Sequence, residues 1–191
     1  NLERARILNP RQVEATHEVG FTLLCMRRYD DALPYFDQAL DLAPDYPLAR
    51  IYHAMAPVLR DGTEDSATIA APKFDRVPSG PWKYAHGWQV LLYARDFEGA
   101  IQFVLPVERV SGQWHDYPTP LLVGWTRALQ DRSDAAMGRF AEAARILEAD
   151  LRLDPDDARL HSALALAYAG LGRKEEALRE GHLSVELLPL E

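Results

Sequence analysis

The feature that most limits the fold of this chain is a repeat of 34 residues. The segment RARILNP, which ends at Pro10, is echoed 34 positions later by DQALDLAP, which ends at Pro44. Near the other end, Pro155 and Pro189 are separated by the same interval, and each follows aliphatic residues at the second and fourth preceding positions. A period of this length in both halves is typical of a repeat array, in which each unit packs mainly on its neighbours.

One unit of the repeat contains two helices. A proline in the first turn favours a helix that begins after Pro10, and apolar periodicity continues it to about Met26. Polar residues then interrupt the pattern, and a second amphipathic helix is expected from Asp31 to Leu42. Pro44 ends this helix, because proline cannot continue the backbone hydrogen bonds. The unit is therefore a helical hairpin.

The residues of this unit resemble the tetratricopeptide repeat, which has small residues at its helix crossings, one aromatic residue in its second helix and a proline at its end. Five residues occupy these places: Gly20, Ala32, Phe36, Ala39 and Pro44. Small residues are needed there because helices that cross at about 8 to 10 Å leave no room for a large side chain. The resemblance implies an all-α fold, a right-handed superhelical α-solenoid of about five antiparallel helical hairpins.

The other units follow the pattern unevenly. The last one matches strongly in HSALALAYAGLG, whereas the one before it lacks the closing proline and is expected to have a long second helix, from about Ser133 to Leu153. Pro57, Pro72 and Trp88 make the middle of the chain irregular. The predicted organisation is a single solenoid over 1–191, made of the end of a preceding repeat (1–12), repeat 1 (13–46), irregular repeats 2 (47–80) and 3 (81–116), repeat 4 (117–157) and repeat 5 (158–191).

Composition and charge narrow the function. The 21 Lys and Arg residues against 29 Asp and Glu give a net charge of −8, which opposes nucleic-acid binding. The longest uncharged stretch, from Leu160 to Gly172, is too short to span a membrane. Cys25 is the single cysteine, so no disulfide framework or CxxC metal site can form, and a cytoplasmic location is expected. We expect no nucleic-acid or membrane partner.

No arrangement of residues in the sequence indicates catalysis. The six histidines lack the spacing of a metal site, and no cofactor motif is present. Ser111, His115 and Asp116 lie close together, but sequence neighbours in a loop containing Gly and Pro rarely form a triad, and a polar loop between repeats is the favoured interpretation. The expectation is a protein without catalytic residues, bound metal or cofactor.

The resemblance implies that the first helices line a concave groove, which would bind a partner protein or peptide. Its predicted residues lie at matching positions of successive units: His17, Phe21, Leu24, Tyr52, Trp82, Gln89, Tyr93, Leu121, Trp125 and Arg159. This set is mostly aromatic and apolar, which argues against the basic clamp that some members use for a peptide carboxylate. Aromatic residues are frequent anchors of interfaces, but the same residues could instead belong to the core.

Two other functions stay open at this point. The chain could associate with itself through an end hairpin or through the groove, forming a homodimer. Less favoured is an enzyme with a small-molecule site among five aromatic and histidine residues: Trp82, His86, Tyr93, His115 and Trp125. The closing EEALREG segment also resembles the C-terminal repeat region of bacterial multidomain regulators, which implies that the chain is a docking or sensor arm cut from a longer protein.

Overall fold

A computed structural model describes residues 12–77, 80–112 and 115–188 of the chain. Its regular elements, in chain order, are α1 (Val13–Cys25), α2 (Tyr29–Leu42), α3 (Pro47–Asp61), α4 (Glu64–Ala70), a 3-10 helix (Ala71–Arg76), α5 (Pro81–Tyr93), α6 (Phe97–Val104), β1 (Arg109–Ser111), β2 (Asp116–Pro118), α7 (Thr119–Leu129), α8 (Ser133–Leu151), α9 (Ala158–Gly170) and α10 (Lys174–Leu187). The expected end of a preceding repeat at 1–12 lies outside the described residues except for Gln12, and so does Pro189. The all-α helical-repeat fold is confirmed.

The chain forms two compact units, which divide between Asp96 and Phe97. In the first unit, α1 pairs with α2, and α3 packs on both α2 and α4. In the α3–α4 hairpin the second helix is short. Helix α4 ends at Ala70, and the chain continues as the 3-10 helix that contains Pro72. Proline has no N–H to donate to the preceding turn, which explains the change at this point. Helix α3, by contrast, continues through Pro57.

Each first helix of a hairpin is followed by one residue in the left-handed backbone conformation. The residues that share this geometry follow α1, α3, α5, α7 and α9 in turn: Arg27, Gly62, Arg95, Asp131 and Gly172. The first four are 33 to 36 residues apart, whereas Asp131 and Gly172 are 41 apart. The longer interval arises because α8 has 19 residues, against 14 in α2. A long helix in this repeat was predicted from the missing proline, and the structure confirms it.

Close contact between glycine and phenylalanine holds the hairpins together. A Cβ atom built on Gly20 would lie 2.8 Å from Cε1 of Phe36, and one built on Gly124 would lie 2.8 Å from Cδ1 of Phe140. Gly170 on α9 meets the opposite edge of the same Phe140 ring. Phe36 and Phe140 are both buried in their cores. The aromatic ring therefore takes the volume that the small residue leaves at the helix crossing.

The segment before α7 differs from the expected polar loop, because β1 and β2 form an antiparallel hairpin in which Val110 faces Tyr117. The carboxylate of Asp116 is buried and accepts hydrogen bonds from Arg109 Nη1 at 2.9 Å and from Ser111 Oγ at 2.8 Å. Arg109 also pairs with Asp150 of α8. A buried carboxylate needs such partners, so this ion-pair network fixes a segment that has little hydrophobic periodicity.

The last hairpin, α9–α10, contains a buried pair of polar side chains, His161 and Glu180. His161 Nδ1 lies 2.7 Å from Glu180 Oε2, and its Nε2 lies 2.8 Å from the carbonyl oxygen of Pro155. Both residues are more than nine-tenths buried. Both nitrogens of the buried ring therefore have a polar partner. His161 therefore connects α10 to the chain segment that precedes α9.

We predict that Gly20→Leu destabilises the chain by about 1 to 3 kcal/mol, because the added side chain would collide with Phe36. The measurement is urea unfolding followed by circular dichroism. Gly138→Leu is the matched control, since Gly138 lies within helix α8 with open space around its Cα. Equal unfolding midpoints for the two variants would contradict the assigned contact.

We also predict that His161→Ala lowers the free energy of unfolding by about 2 kcal/mol, because Oε2 of the buried Glu180 would lose its partner and removal of the ring would leave a cavity, while Arg179 still contacts Oε1 at 3.1 Å. His182→Ala serves as the control, since His182 is exposed on the same hairpin. Chemical denaturation of both variants at neutral pH checks the prediction. A loss no larger than that of the control would show that the pair contributes little.

Candidate functional site

In the first unit, aromatic side chains from three helices form one continuous row. We define the aromatic row by its six members: His17, Phe21, Tyr46, Tyr52, Trp82 and His86. The ring centres of Phe21 and Tyr52 are 4.8 Å apart, and those of Tyr52 and His86 are 5.5 Å apart. Trp82 stacks on His86 at 6.0 Å, with an angle of 11° between the ring planes. The row therefore runs without a break from α1 across α3 to α5.

The repeat itself explains why these rings meet. His17, Tyr52 and His86 are 35 and 34 residues apart, so they occupy nearly the same place in successive first helices, the fifth position of α1 and the sixth of α3 and α5. Residues at matching places lie next to one another when similar hairpins stack. Phe21 lies four residues after His17 and Trp82 four residues before His86, one helical turn away on the same face. The aromatic row therefore follows from the repeat of about 34 residues together with the four-residue spacing of one helical turn.

His17 is the buried centre of the row, with an exposed fraction of only 2%. Four rings surround it, the nearest being Tyr46, whose ring centre is 5.4 Å away. Among the described residues, neither ring nitrogen has a hydrogen-bond partner, although Nδ1 lies 3.5 Å from a carboxylate oxygen of Glu18. Burial lowers the pKa of His17, an effect that the neighbouring Glu18 opposes. The neutral imidazole thus packs as one more aromatic ring.

The tyrosines of the row lie beside acidic side chains. Burial raises the pKa of Tyr52 to about 12, with smaller contributions from Cys25 and Glu18. The pKa of Tyr46 is also raised, by burial and by the nearby charges of Glu14 and Glu18. Both phenols stay neutral at physiological pH. The face therefore combines partly exposed aromatic rings with two exposed carboxylates, Glu14 and Glu18.

The other predicted groove residues of the first unit have different surroundings. Leu24 is buried in the core with Phe36 and Ala56. Gln89 and Tyr93 are one turn apart on α5, where Gln89 Nε2 donates to the Tyr93 hydroxyl at 3.5 Å. Tyr93 has an exposed fraction of 47%. Leu24 therefore stabilises the hairpin, whereas Gln89 and Tyr93 are accessible from solvent.

In the second unit, the predicted residues belong mainly to the packing of their own repeats. Leu121 is fully buried in the core formed by α7, α8 and α9. Trp125 packs at the edge of this core, and its ring lies 5.6 Å from Tyr117 in an edge-on arrangement. Arg159 bonds to Asp157 at 2.6 Å and donates to the carbonyl oxygen of Gly112. These contacts give Leu121 and Arg159 structural roles, and leave Trp125 partly exposed.

The geometry also shows what the polar residues near β1 and β2 do. Ser111 donates its hydroxyl proton to Asp116, whose second oxygen is held by Arg109. His115 stacks on Tyr117 at 5.1 Å, and burial lowers its pKa. In a nucleophilic triad the serine would instead donate to a histidine base. Ser111 and Asp116 therefore form part of the ion-pair network of the hairpin.

Within 12–77, 80–112 and 115–188, no group of three or more His, Cys, Asp or Glu side chains is placed to hold a metal ion. In the same ranges, no helix combines the length and apolar character needed to cross a membrane.

Neither Tyr46 nor His86 is among the groove residues predicted from the sequence, although His86 was expected to be a packed or groove-lining histidine and was considered for a small-molecule site. Tyr46 precedes α3 and lies outside the first helices, so helix periodicity could not place it beside His17. The 34-residue spacing from Tyr52 to His86 was the available signal for the second residue. Contacts between a linker and a helix depend on tertiary packing, which local patterns do not contain.

Two families match separate parts of the chain. Residues 20–50 match the tetratricopeptide repeat, and residues 124–189 match the bacterial transcriptional activator domain. The first match runs from the second half of α1 through α2 to the start of α3, and the second runs from the second half of α7 through α10. No curated protein matches the chain in sequence.

Solved structures show the same fold over nearly the whole chain. YrrB, described as a TPR protein with an unusual peptide-binding site, is 17% identical with a TM-score of 0.56, and the match covers 99% of this chain and 93% of YrrB. TTC0263, a thermophilic TPR protein of Thermus thermophilus, is 23% identical with a TM-score of 0.54, covering 94% and 93%. Yeast Tom70 is 20% identical with a TM-score of 0.61, covering 99% of this chain and 39% of Tom70. Together with the tetratricopeptide repeat that matches 20–50, these structures show that the chain has the fold of a tetratricopeptide-repeat solenoid.

Proposed function

We propose that this chain is a protein-interaction module without catalytic activity, and that a peptide segment of its partner lies along the aromatic row. The observation that carries the proposal is the unbroken contact of rings from Phe21 through Tyr52 and His86 to Trp82. Partly exposed aromatic side chains are effective anchors, because they present a large apolar area and lose little side-chain freedom on binding. Gln89 and Tyr93 extend the same face with polar groups.

The fold supports this function in general terms. Helical repeats have extended surfaces built from matching positions of successive hairpins, which suit an extended or helical peptide. YrrB, whose structure resembles this chain, is described as having a peptide-binding site. His17 is 2% exposed and packed among aromatic rings, so a substrate has no access to its imidazole, which favours binding over catalysis.

The match of 124–189 to the bacterial transcriptional activator domain supports a regulatory setting. In this setting the chain is the docking or sensor arm of a multidomain bacterial regulator. An exposed cysteine thiol, Cys25, suits the reducing cytoplasm, where such a regulator would work. The net charge of −8 favours a protein partner over nucleic acid for this part of the molecule.

Self-association is the second candidate function, and a separate observation favours it. Helix α10 and the residue after it expose Leu178, Val185 and Leu188, with exposed fractions of 54%, 66% and 48%. Leu178 also borders a shallow groove with Leu166 and Ala177. An exposed apolar face of this kind can pair with a second copy. Light scattering over a range of concentrations tests this, since a mass that stays at 21.5 kDa throughout would exclude a homodimer.

We predict that peptides selected from a random library on the immobilised chain bind the aromatic row. Phe21→Ala and Trp82→Ala should each weaken their binding about 30-fold, because truncation of an interface anchor typically costs about 2 kcal/mol or more. Fluorescence anisotropy of labelled peptides gives the dissociation constants, and circular dichroism checks that each variant stays helical.

The matched control is Ile69→Ala, which removes an apolar side chain that is 69% exposed on α4 and outside the row. This variant should bind the selected peptides as the unchanged chain does. Trp125→Ala tests whether the second unit contributes to binding. A library that yields no binder, or equal affinity for all four variants, would contradict a peptide site on the row.

A further inference from the structure

A second surface of the first unit gathers positive charge. A cavity of about 350 Å³ is lined by Leu40 of α2, by Arg50 and His53 of α3, and by Lys73 and Arg76 of the 3-10 helix. Three of its five lining residues are Lys or Arg. Over 12–96 as a whole, the sequence has eight Lys and Arg residues against 12 Asp and Glu. Basic side chains are thus concentrated here in a chain of negative net charge.

Two of the four basic groups are held in place by neighbours. Arg50 donates through Nε to the carbonyl oxygen of Pro44 at 2.6 Å, and its Nη2 lies 3.3 Å from an oxygen of the exposed Asp45. His53 Nε2 lies 3.1 Å from Asp37 Oδ1. These contacts fix the orientation of both side chains at one wall of the cavity, so part of the site is preorganised.

The other wall has no such compensation. In the described ranges, neither Lys73 nor Arg76 has a carboxylate oxygen within 4.0 Å of its charged nitrogens. Both side chains are exposed, and they come from one short helix that packs on α3 and on α4. Cations that converge on one cavity repel one another, and a bound anion would relieve that repulsion.

We propose that this cavity binds a phosphoryl group. Arg50, whose Nε and Nη2 already contact Pro44 and Asp45, would supply its remaining N–H donors to a phosphate oxygen, and Lys73 and Arg76 would close on the anion from the opposite wall. Leu40 gives the cavity an apolar side for the body of the ligand. The volume falls within the range of small-molecule sites, so a phosphorylated side chain or a free phosphorylated compound would fit. This site shares no residue with the aromatic row, and its occupancy does not depend on peptide binding there.

The test uses the full chain and two probes, inorganic pyrophosphate and a short glycine-rich peptide that carries one phosphoserine. Isothermal titration at low salt measures both, with the unphosphorylated peptide as the blank. Lys73→Ala/Arg76→Ala should weaken binding of the better probe at least about tenfold, because it removes two charge-assisted contacts. Arg28→Ala/Arg60→Ala is the matched control, since it removes two positive charges from the same unit outside the cavity.

The expected control result is an affinity within about twofold of the unchanged chain, and binding should weaken with added NaCl as for any charged ligand. The probe that binds more tightly identifies the source, a modified protein or a free compound. Failure of both probes to bind, or equal loss in the two double variants, would overturn the proposal. If the cavity variant is less helical, Lys73→Gln replaces it. Library peptides that still bind the aromatic row would show that only the phosphoryl site has failed.

Discussion

The contact on which the rest of the structure depends is that of a phenylalanine ring against a glycine at a helix crossing. Phe36 fills the space left by Gly20, and Phe140 fills the space between Gly124 and Gly170. Because the glycines have no side chain, the paired helices approach closely while the ring stays buried. Phe140 touches glycines of two successive first helices, so a single ring sets both the angle within one hairpin and the stacking of the next.

This stacking brings equivalent positions of successive first helices together, and that produces the aromatic row. His17, Tyr52 and His86 come from three helices, yet their rings form one series of contacts. The row contains a buried centre and partly exposed flanks, so the same residues stabilise the unit and present a surface. Some members of the aromatic row therefore belong to the core, and others belong to the accessible surface. His17 is core, whereas Phe21, Tyr52 and Trp82 keep part of their area accessible.

The buried charges of the second unit have a structural purpose. His161 with Glu180, and Asp116 with Arg109, each connect two segments that hydrophobic packing alone would not hold in register. A buried ion pair adds little net stability, but it strongly disfavours arrangements in which one partner loses the other. Such pairs therefore give these segments of the second unit a specific alignment. In the first unit, by contrast, three basic side chains line an open cavity.

The sequence by itself determined the hairpins. Helix ends near Cys25, Leu42 and Leu151 follow from period, proline and turn residues, which are local properties of the chain. The glycine–phenylalanine pairs and most of the row were also predictable, because a 34-residue period places equivalent residues side by side.

Only the tertiary structure decided which of those residues are covered, and what the irregular segments form. Leu121 is buried because α8 and α9 cover it, and the strands at Arg109–Ser111 and Asp116–Pro118 form because ion pairs to distant residues hold them. The basic cavity likewise joins residues of α2 and α3 to a 3-10 helix roughly twenty positions or more further along the chain. Burial and charge convergence depend on the partners that folding brings together, and a one-dimensional pattern does not specify them.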